Sequence, residues 1–383
     1  MKKLNPFRFR GPASVNLMAG RENEKKQLLS IIKNSQSAVL YAPRRTGKTW
    51  LLEIVAKEAS KEKIIPVYFD LFPISSVIHF IESYATAIIK SIAKTSKSAQ
   101  ELFNTHFSFL NPQITFSKNN WLITYNWERT DNGIKRLFPI LLALPESIAK
   151  EKKAKLVVIF DEFQEIDRLD GEKWEKEMRS IFQQQKRVSY IFSGSKTHLL
   201  VNMFTDVRRP FYQSSAMILL SEISNNNWKK FISKKLKGTN VNFIEDVIDQ
   251  LILLTGGHPY YTQLLCYFVW EKCNVKGMII SEDVTQCLTE ALYNEYPYFG
   301  QLWDGLPLIQ KQLLISIAKE GGRHIFSGDF MIANSLGPVS SIRIASIALS
   351  KQKEILDKVK DEYKFTDPFF RLWIRREIIG FPE

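Results

Sequence analysis

A short polar loop, Ala42-Pro43-Arg44-Arg45-Thr46-Gly47-Lys48-Thr49, follows the apolar run Val39-Leu40-Tyr41. Its residue types suit the cradling of a polyphosphate. The backbone N–H groups of such a loop converge on the anion at the positive end of the helix that follows. Lys48 would reach the terminal phosphates, and Thr49 would offer its hydroxyl to a magnesium ion. The first position of the eight-residue pattern is Ala42 rather than Gly, which adds the smallest possible side chain. A second set of residues supplies what the loop lacks: Lys155-Leu156-Val157-Val158-Ile159-Phe160 runs into Asp161-Glu162. An apolar, β-branched run belongs to a strand buried on both faces. Two acids at its C-terminal end are costly unless they work at the sheet edge, where ligands of α/β proteins sit. Asp161 is placed to hold the metal through water and Glu162 to orient and activate the attacking water. The alternative is that these acids cap a helix starting near Asp161.

These side chains need a parallel sheet to carry them. Ser37 to Tyr41 reads as its first strand, Thr49 to about Lys61 as the helix behind it, and Ile64 to Asp70 as a second strand ending in a carboxylate. Another strand, Val188 to Phe192, ends at Ser193-Gly194-Ser195. Ser193 is the candidate for sensing the terminal phosphate or the attacking water, Ser195 is the alternative, and both residue types also form turns. Met217 to Leu220 reads as the last strand. The stretch from about 75 to 150 is helical and less regular, with a polar, aromatic passage from Phe103 to Trp127, and reads as helices plus an insertion. Before the loop, Gly20-Arg21-Glu22 opens a helix, so the Gly20-Arg21 corner lies beside the nucleotide base or phosphates, or is simply an exposed helix start. Phe7 to Pro12 reads as an extended lead-in that ends before about Asn16 and Leu17. Arg208 and Arg209 are the candidates for supplying charge to a neighbouring subunit's transition state.

Beyond Leu220 the pattern is helical. Trp228 to Lys237, Phe243 to Thr255, Pro259 to Lys272 and Ser281 to Tyr293 read as a small bundle, with Gly256-Gly257-His258-Pro259 as punctuation between two helices. Helices over Ile309 to Lys319, Gly328 to Asn334 and Val339 to Gln352 come next. A hairpin of Ile355 to Lys360 with Tyr363 to Thr366 completes a winged helix-turn-helix pattern. Ser340, Ser341, Arg343 and Ser346 would lie near the exposed face of its recognition helix, with Lys358, Lys360 and Lys364 on the wing. No Asn, Gln and Arg cluster stands out for reading bases, so DNA and protein are both open as its partner.

The 383 residues suffice for two or three domains. A net charge of +13 favours polyanionic partners such as nucleotides, nucleic acid or an acidic membrane surface, or reflects lysine-rich solvated helix faces. No apolar run approaches the roughly 18 residues that span a bilayer. Met1-Lys2-Lys3 is basic but no apolar signal core follows, and Cys266, Cys273 and Cys287 lack metal-like spacing. The expectation is a cytoplasmic protein with buried thiols and no membrane contact.

The combination resembles the AAA+ and STAND-related ATPases abundant in archaea and also found in bacteria, sometimes described as archaeal-type ATPases. The resemblance is carried by Gly20-Arg21-Glu22, by Pro43 to Thr49, by Asp161-Glu162-Phe163-Gln164 as a Walker B segment and by the Ser193-Gly194-Ser195 strand end. It continues through Gly256-Gly257-His258-Pro259 and the closing Phe365-Thr366-Asp367-Pro368-Phe369-Phe370-Arg371-Leu372-Trp373. It implies an α/β P-loop NTPase core with a parallel sheet over 1–220, an α-helical lid over 221–297 and a winged-helix domain over 298–383. It also implies that Gly20, Arg21, Pro43, Arg44, Arg45, Thr46, Gly47, Lys48 and Thr49 face ATP or ADP with Mg²⁺, and that the turn with His258 and Pro259 lies near the adenine. Relatives often place Gly-Arg after the Pro-aromatic-Tyr segment. Here Gln213-Ser214 follow Tyr212, so Arg208 or Arg209 substitutes for that arginine or the finger is absent. The strict lid arginine of oligomeric machines is also not identifiable in the sequence. This favours a nucleotide-driven switch and leaves the oligomeric state open.

Overall fold

The computed structural model describes residues 4–11, 18–93, 95–117, 120–169 and 171–381. Of the segments read above, Met1 to Lys3, Pro12, Asn16 and Leu17 lie outside these residues. The chain divides into two compact units, Ala13–Ser221, and Met1–Pro12 with Glu222–Glu383.

In the first unit the strands are, in chain order, β1 (Ala38–Tyr41), β2 (Ile64–Asp70), β3 (Pro112–Ser117), β4 (Asn120–Tyr125), β5 (Lys155–Asp161), β6 (Val188–Gly194) and β7 (Ala216–Leu219). Five of them form a parallel sheet in the order β2-β5-β6-β1-β7, so the strand bearing the loop lies beside β6, and β5 lies between β6 and β2. Side chains alternate across the sheet. One face carries Ala38, Leu40, Ile159 and Ile191 against α1 (Glu22–Lys33) and α2 (Lys48–Lys61). The other carries Val39, Val67, Phe69, Val158, Phe160, Tyr190 and Phe192. That face is covered by α3 (Val77–Ile92), α4 (Ser96–Leu102), α5 (Asp131–Glu151), α6 (Gly171–Phe182) and α7 (Thr197–Thr205). Phe160 is fully buried there among Phe69, Tyr84, Phe163, Phe182, Tyr190 and Phe192. This aromatic layer packs against the C-terminal end of β5.

The insertion differs from the expected helices in one respect. β3 and β4 form an antiparallel hairpin in which Pro112 faces Tyr125 and Ser117 faces Asn120. Ile114-Thr115-Phe116 and Trp121-Leu122-Ile123-Thr124-Tyr125 are β-branched and aromatic, which suits a pleated, half-covered surface.

The second unit contains α8 (Asn225–Lys237), β8 (Asn242–Phe243), α9 (Glu245–Thr255), α10 (Pro259–Cys273), β9 (Met278–Ile279) and α11 (Ser281–Asp304). α12 (Leu308–Glu320), α13 (Gly328–Ala333), α14 (Val339–Ile347), the hairpin β10 (Leu356–Val359) and β11 (Glu362–Phe365), and α15 (Pro368–Trp373) follow. α11 runs through Pro297, so the position between residues 297 and 298 lies inside a helix. The lead-in packs in this unit: Phe7 is buried, Phe9 meets Tyr260 and Tyr267 edge-on, and the Asn5 side chain donates to the Tyr267 carbonyl. On α14, Ser340, Arg343, Ile344 and Ile347 are exposed, and Ser341 is partly so. Ser346 is fully buried and donates to the Arg343 carbonyl, which corrects its expected place on the exposed face. Lys358, Lys360 and Lys364 are exposed on the hairpin. Among the described residues no helix is long and apolar enough to cross a membrane.

Candidate functional site

β1 ends at Tyr41 and α2 begins at Lys48, so the loop delivers the first turn of a 14-residue helix to the C-terminal edge of the sheet. Arg45 (φ 62°) and Gly47 (φ 92°) are left-handed, the backbone form that turns successive N–H groups toward one point. Ala42 is not left-handed, and its side chain is buried in the core with Leu40 and Leu51, so a methyl group fits where glycine is usual. The Thr46 hydroxyl closes the loop on the Pro43 carbonyl at 2.7 Å. Lys48 is buried, and its Nζ donates to the Ala42 and Pro43 carbonyls at 2.7 and 2.8 Å. Arg44 and Arg45 are exposed.

β5 brings in the acids. Thr49 Oγ1 donates to Asp161 Oδ2 at 3.2 Å across 112 residues of chain. Asp161 Oδ1 accepts the Glu162 N–H at 3.1 Å, and Oδ2 also accepts the Tyr68 hydroxyl. Asp70 pairs with Asp161 across β2 and β5; burial, and then the Asp161 and Glu162 charges, push its pKa up. Glu162 is left-handed at φ 51°, an uncommon state for a non-glycine residue. Its Oε2 accepts Gln164 Nε2 at 2.6 Å, Ser195 Oγ at 2.8 Å and Ser195 N at 3.1 Å. Burial raises the cost of its charge, but these hydrogen bonds and Lys48 together outweigh that cost and hold its pKa below the ordinary value.

The expected partners distribute unevenly. Ser195 engages Glu162, whereas Ser193 is fully buried with its hydroxyl unpartnered among the described residues. Gly20 is left-handed, and Arg21 is buried, donating to Glu24 at 3.0 Å and to the Ser221 carbonyl. Arg208 pairs with Asp206, and Arg209 pairs with Asp167 and the fully buried Glu175. His258 and Pro259 belong to the second unit, where they are the N-cap and first residue of α10, and the preceding Gly257 carbonyl accepts Trp228 Nε1 at 2.8 Å. Tyr68 and Gln164 were not assigned a role from sequence. Gln164 lies two residues past Glu162, but Tyr68 meets Asp161 only through the register of β2 on β5.

The donor set suits a hard cation beside a phosphate. A hydroxyl and a carboxylate oxygen meet at the N-terminus of a helix next to a lysine ammonium. Magnesium is characteristically held by one or two carboxylates, waters and substrate phosphates rather than by a protein cage. Among the described residues no group of three His, Cys, Asp or Glu that could hold a metal occurs.

Comparison with solved structures places this architecture. The Walker-type ATPase of Pyrococcus abyssi superposes with a TM-score of 0.69 at 16% identity, covering 97% of this chain and 99% of that one. The ORC2 protein of Aeropyrum pernix, in its ADPNP–ADP complexes, superposes with a TM-score of 0.57 at 12% identity, covering 94% of this chain and 95% of that one. The chain shares the fold of these two proteins. A family model described as a probable winged helix domain matches residues 297–376 of it. No curated protein matches the sequence. In this fold the loop before α2 and the acids ending β5 lie at the same edge of the sheet, with β6 between their strands.

Proposed function

We propose that the chain binds ATP with Mg²⁺ and hydrolyses it, and that nucleotide state is coupled to movement of the helical lid, 221–297, and the winged helix, 298–383. The observation that carries this reading is the meeting of Thr49 with Asp161 at 3.2 Å beside the buried Lys48. The loop amides and Lys48 hold the phosphates, with Gly20 and Arg21 toward the rest of the nucleotide. Thr49 and Asp161 hold the magnesium ion, which supplies charge neutralisation at the transferring phosphoryl group. Glu162 orients and activates the attacking water, Ser193 serves as the sensor, and Arg208 or Arg209 is the candidate finger. Catalysis of this kind is positioning and electrostatics. The likeness to a Walker-type ATPase and to a protein solved with ADPNP and ADP supports the reading.

A second reading has its own support. Glu162 is held by three donors, and both arginines are engaged within the chain. These contacts suit a cytoplasmic switch that retains nucleotide with little turnover and regulates a DNA or protein partner through the winged helix. Nucleotide binding and phosphate release, measured on the intact protein, separate the two. Lys48→Ala weakens nucleotide binding, and Glu162→Gln leaves binding intact and stops turnover. Normal hydrolysis by the Gln variant would remove Glu162 from its role. Retained nucleotide without phosphate release, together with a salt-sensitive DNA mobility shift, would favour the switch.

A further inference from the structure

Tyr68 lies on β2, a strand that carries no residue of the phosphate loop or of the acidic pair. β2 runs parallel to β5 in a register that sets Tyr68 opposite Ile159 and Asp70 opposite Asp161. Ile159 and the Tyr68 ring both pack on the α2 side of the sheet, the side on which Thr49 opens its helix. From there the Tyr68 hydroxyl donates to Asp161 Oδ2, the same oxygen that accepts Thr49. The other carboxylate oxygen takes the Glu162 N–H. Both oxygens of Asp161 are therefore fixed, and the one that meets Thr49 is fixed by a phenol.

A phenol suits this place. Asp70, Asp161 and Glu162 crowd one end of the sheet, and Asp70 feels the charges of the other two. Repulsion between like charges would turn a free Asp161 carboxylate toward solvent. A lysine or arginine would hold it, but would cancel the charge a metal ion requires. A neutral hydroxyl donor restrains the carboxylate and leaves its charge in place. We propose that Tyr68 is a positioning residue that aims Asp161 Oδ2 at Thr49 and so sets the affinity of this site for magnesium. The proposal rests on the nucleotide and metal reading of the site given above.

The substitution Tyr68→Phe removes only the hydroxyl. The ring is partly buried and lines a cavity of about 440 Å³ with Pro66 and Asp70, so its packing survives the change. The test is the affinity for a fluorescent ADP analogue measured in EDTA and again across a magnesium titration, in the parent, Tyr68→Phe and Asp161→Asn proteins. Partners that orient a metal ligand typically contribute about 10- to 100-fold to metal affinity. The expected result is a magnesium requirement about tenfold or more higher in Tyr68→Phe, with affinity in EDTA unchanged. A Phe variant with the parent's magnesium titration, beside an Asp161→Asn protein that has lost its own, overturns the role of Tyr68 and leaves the site reading intact. Equal weakening in EDTA and in magnesium also overturns it, because that marks a packing role. If neither variant alters the magnesium dependence, the metal site itself is misassigned. Mn²⁺ binding followed by electron paramagnetic resonance on the nucleotide-saturated protein gives the same comparison without turnover.

Discussion

Gly194→Ala probes the clamp on Glu162 with a single methyl group. Gly194 ends β6, and its backbone is not left-handed, so alanine is permitted locally. A Cβ there would stand 2.0 Å from Gln164 Oε1 and 3.1 Å from Leu200 Cδ2. Gln164 is 3% exposed and Leu200 fully buried, so neither moves freely. The Gln164 amide must retreat by more than an ångström, which breaks its 2.6 Å hydrogen bond to Glu162. A hydrogen bond to a charged acceptor contributes about 1.5–3 kcal/mol, and overpacking a core costs about 1–3 kcal/mol. Reduced freedom of the unfolded chain returns about 0.4–1 kcal/mol. The expected destabilisation is therefore about 2–5 kcal/mol, read by urea unfolding with an unchanged m-value. In a Gln164→Ala background the obstructing amide is gone, and Gly194→Ala should cost less than about 1 kcal/mol, leaving only the Leu200 contact. The double-mutant cycle should report a coupling of roughly 2 kcal/mol. Additivity within about 0.5 kcal/mol would refute the reasoning, because it would mean that Gln164 does not transmit the steric load to Glu162.

Two further outcomes follow from buried groups away from the site. Burial pushes the pKa of Glu175 up to about 7, against the attraction of Arg209. A folded pKa above the unfolded carboxylate value means that the folded state binds more protons in that window. Stability should then fall as pH rises from about 4.5 to 7. Glu175→Gln should flatten this slope in pH-dependent thermal unfolding; an unchanged slope would place its origin elsewhere. Cys266, Cys273 and Cys287 are buried and unpaired. Burial, followed by the nearby Asp283, pushes Cys273 up to about 11, and burial, followed by Glu290, pushes Cys287 up to about 12. All three thiols should therefore resist iodoacetamide at pH 8 until the protein is unfolded. Modification of any one at the rate of a free thiol would contradict its placement.

Much of the core was legible because strong local patterns force it. Lys155 to Asp161 is too apolar and β-branched to be anything but a buried strand, and Gly47-Lys48-Thr49 after an apolar run allows few backbones. The helix-turn-helix and its wing were legible for the same reason, since turn residues separate clear periods. In the hairpin of β3 and β4, Gln113-Ile114-Thr115-Phe116-Ser117 alternates as a strand should, and the run Trp121-Leu122-Ile123 blurs the period of its partner. The burial of Ser346 was hidden because a serine in a helix has no preferred face. Positions set by contact between distant segments were not readable at all. That Ser195 rather than Ser193 reaches Glu162 depends on where β6 ends beside β5, because residues two apart on a strand share a face. That Arg209 pairs with Glu175 depends on a fold joining residues 34 apart. By itself the sequence determined which strand ends carry the Gly47-Lys48-Thr49 loop and the Asp161-Glu162 pair, because composition and spacing act locally. Only the tertiary structure decided that Tyr68 and Thr49 share one oxygen of Asp161, because strand register is settled by packing of the whole sheet and not by any one segment.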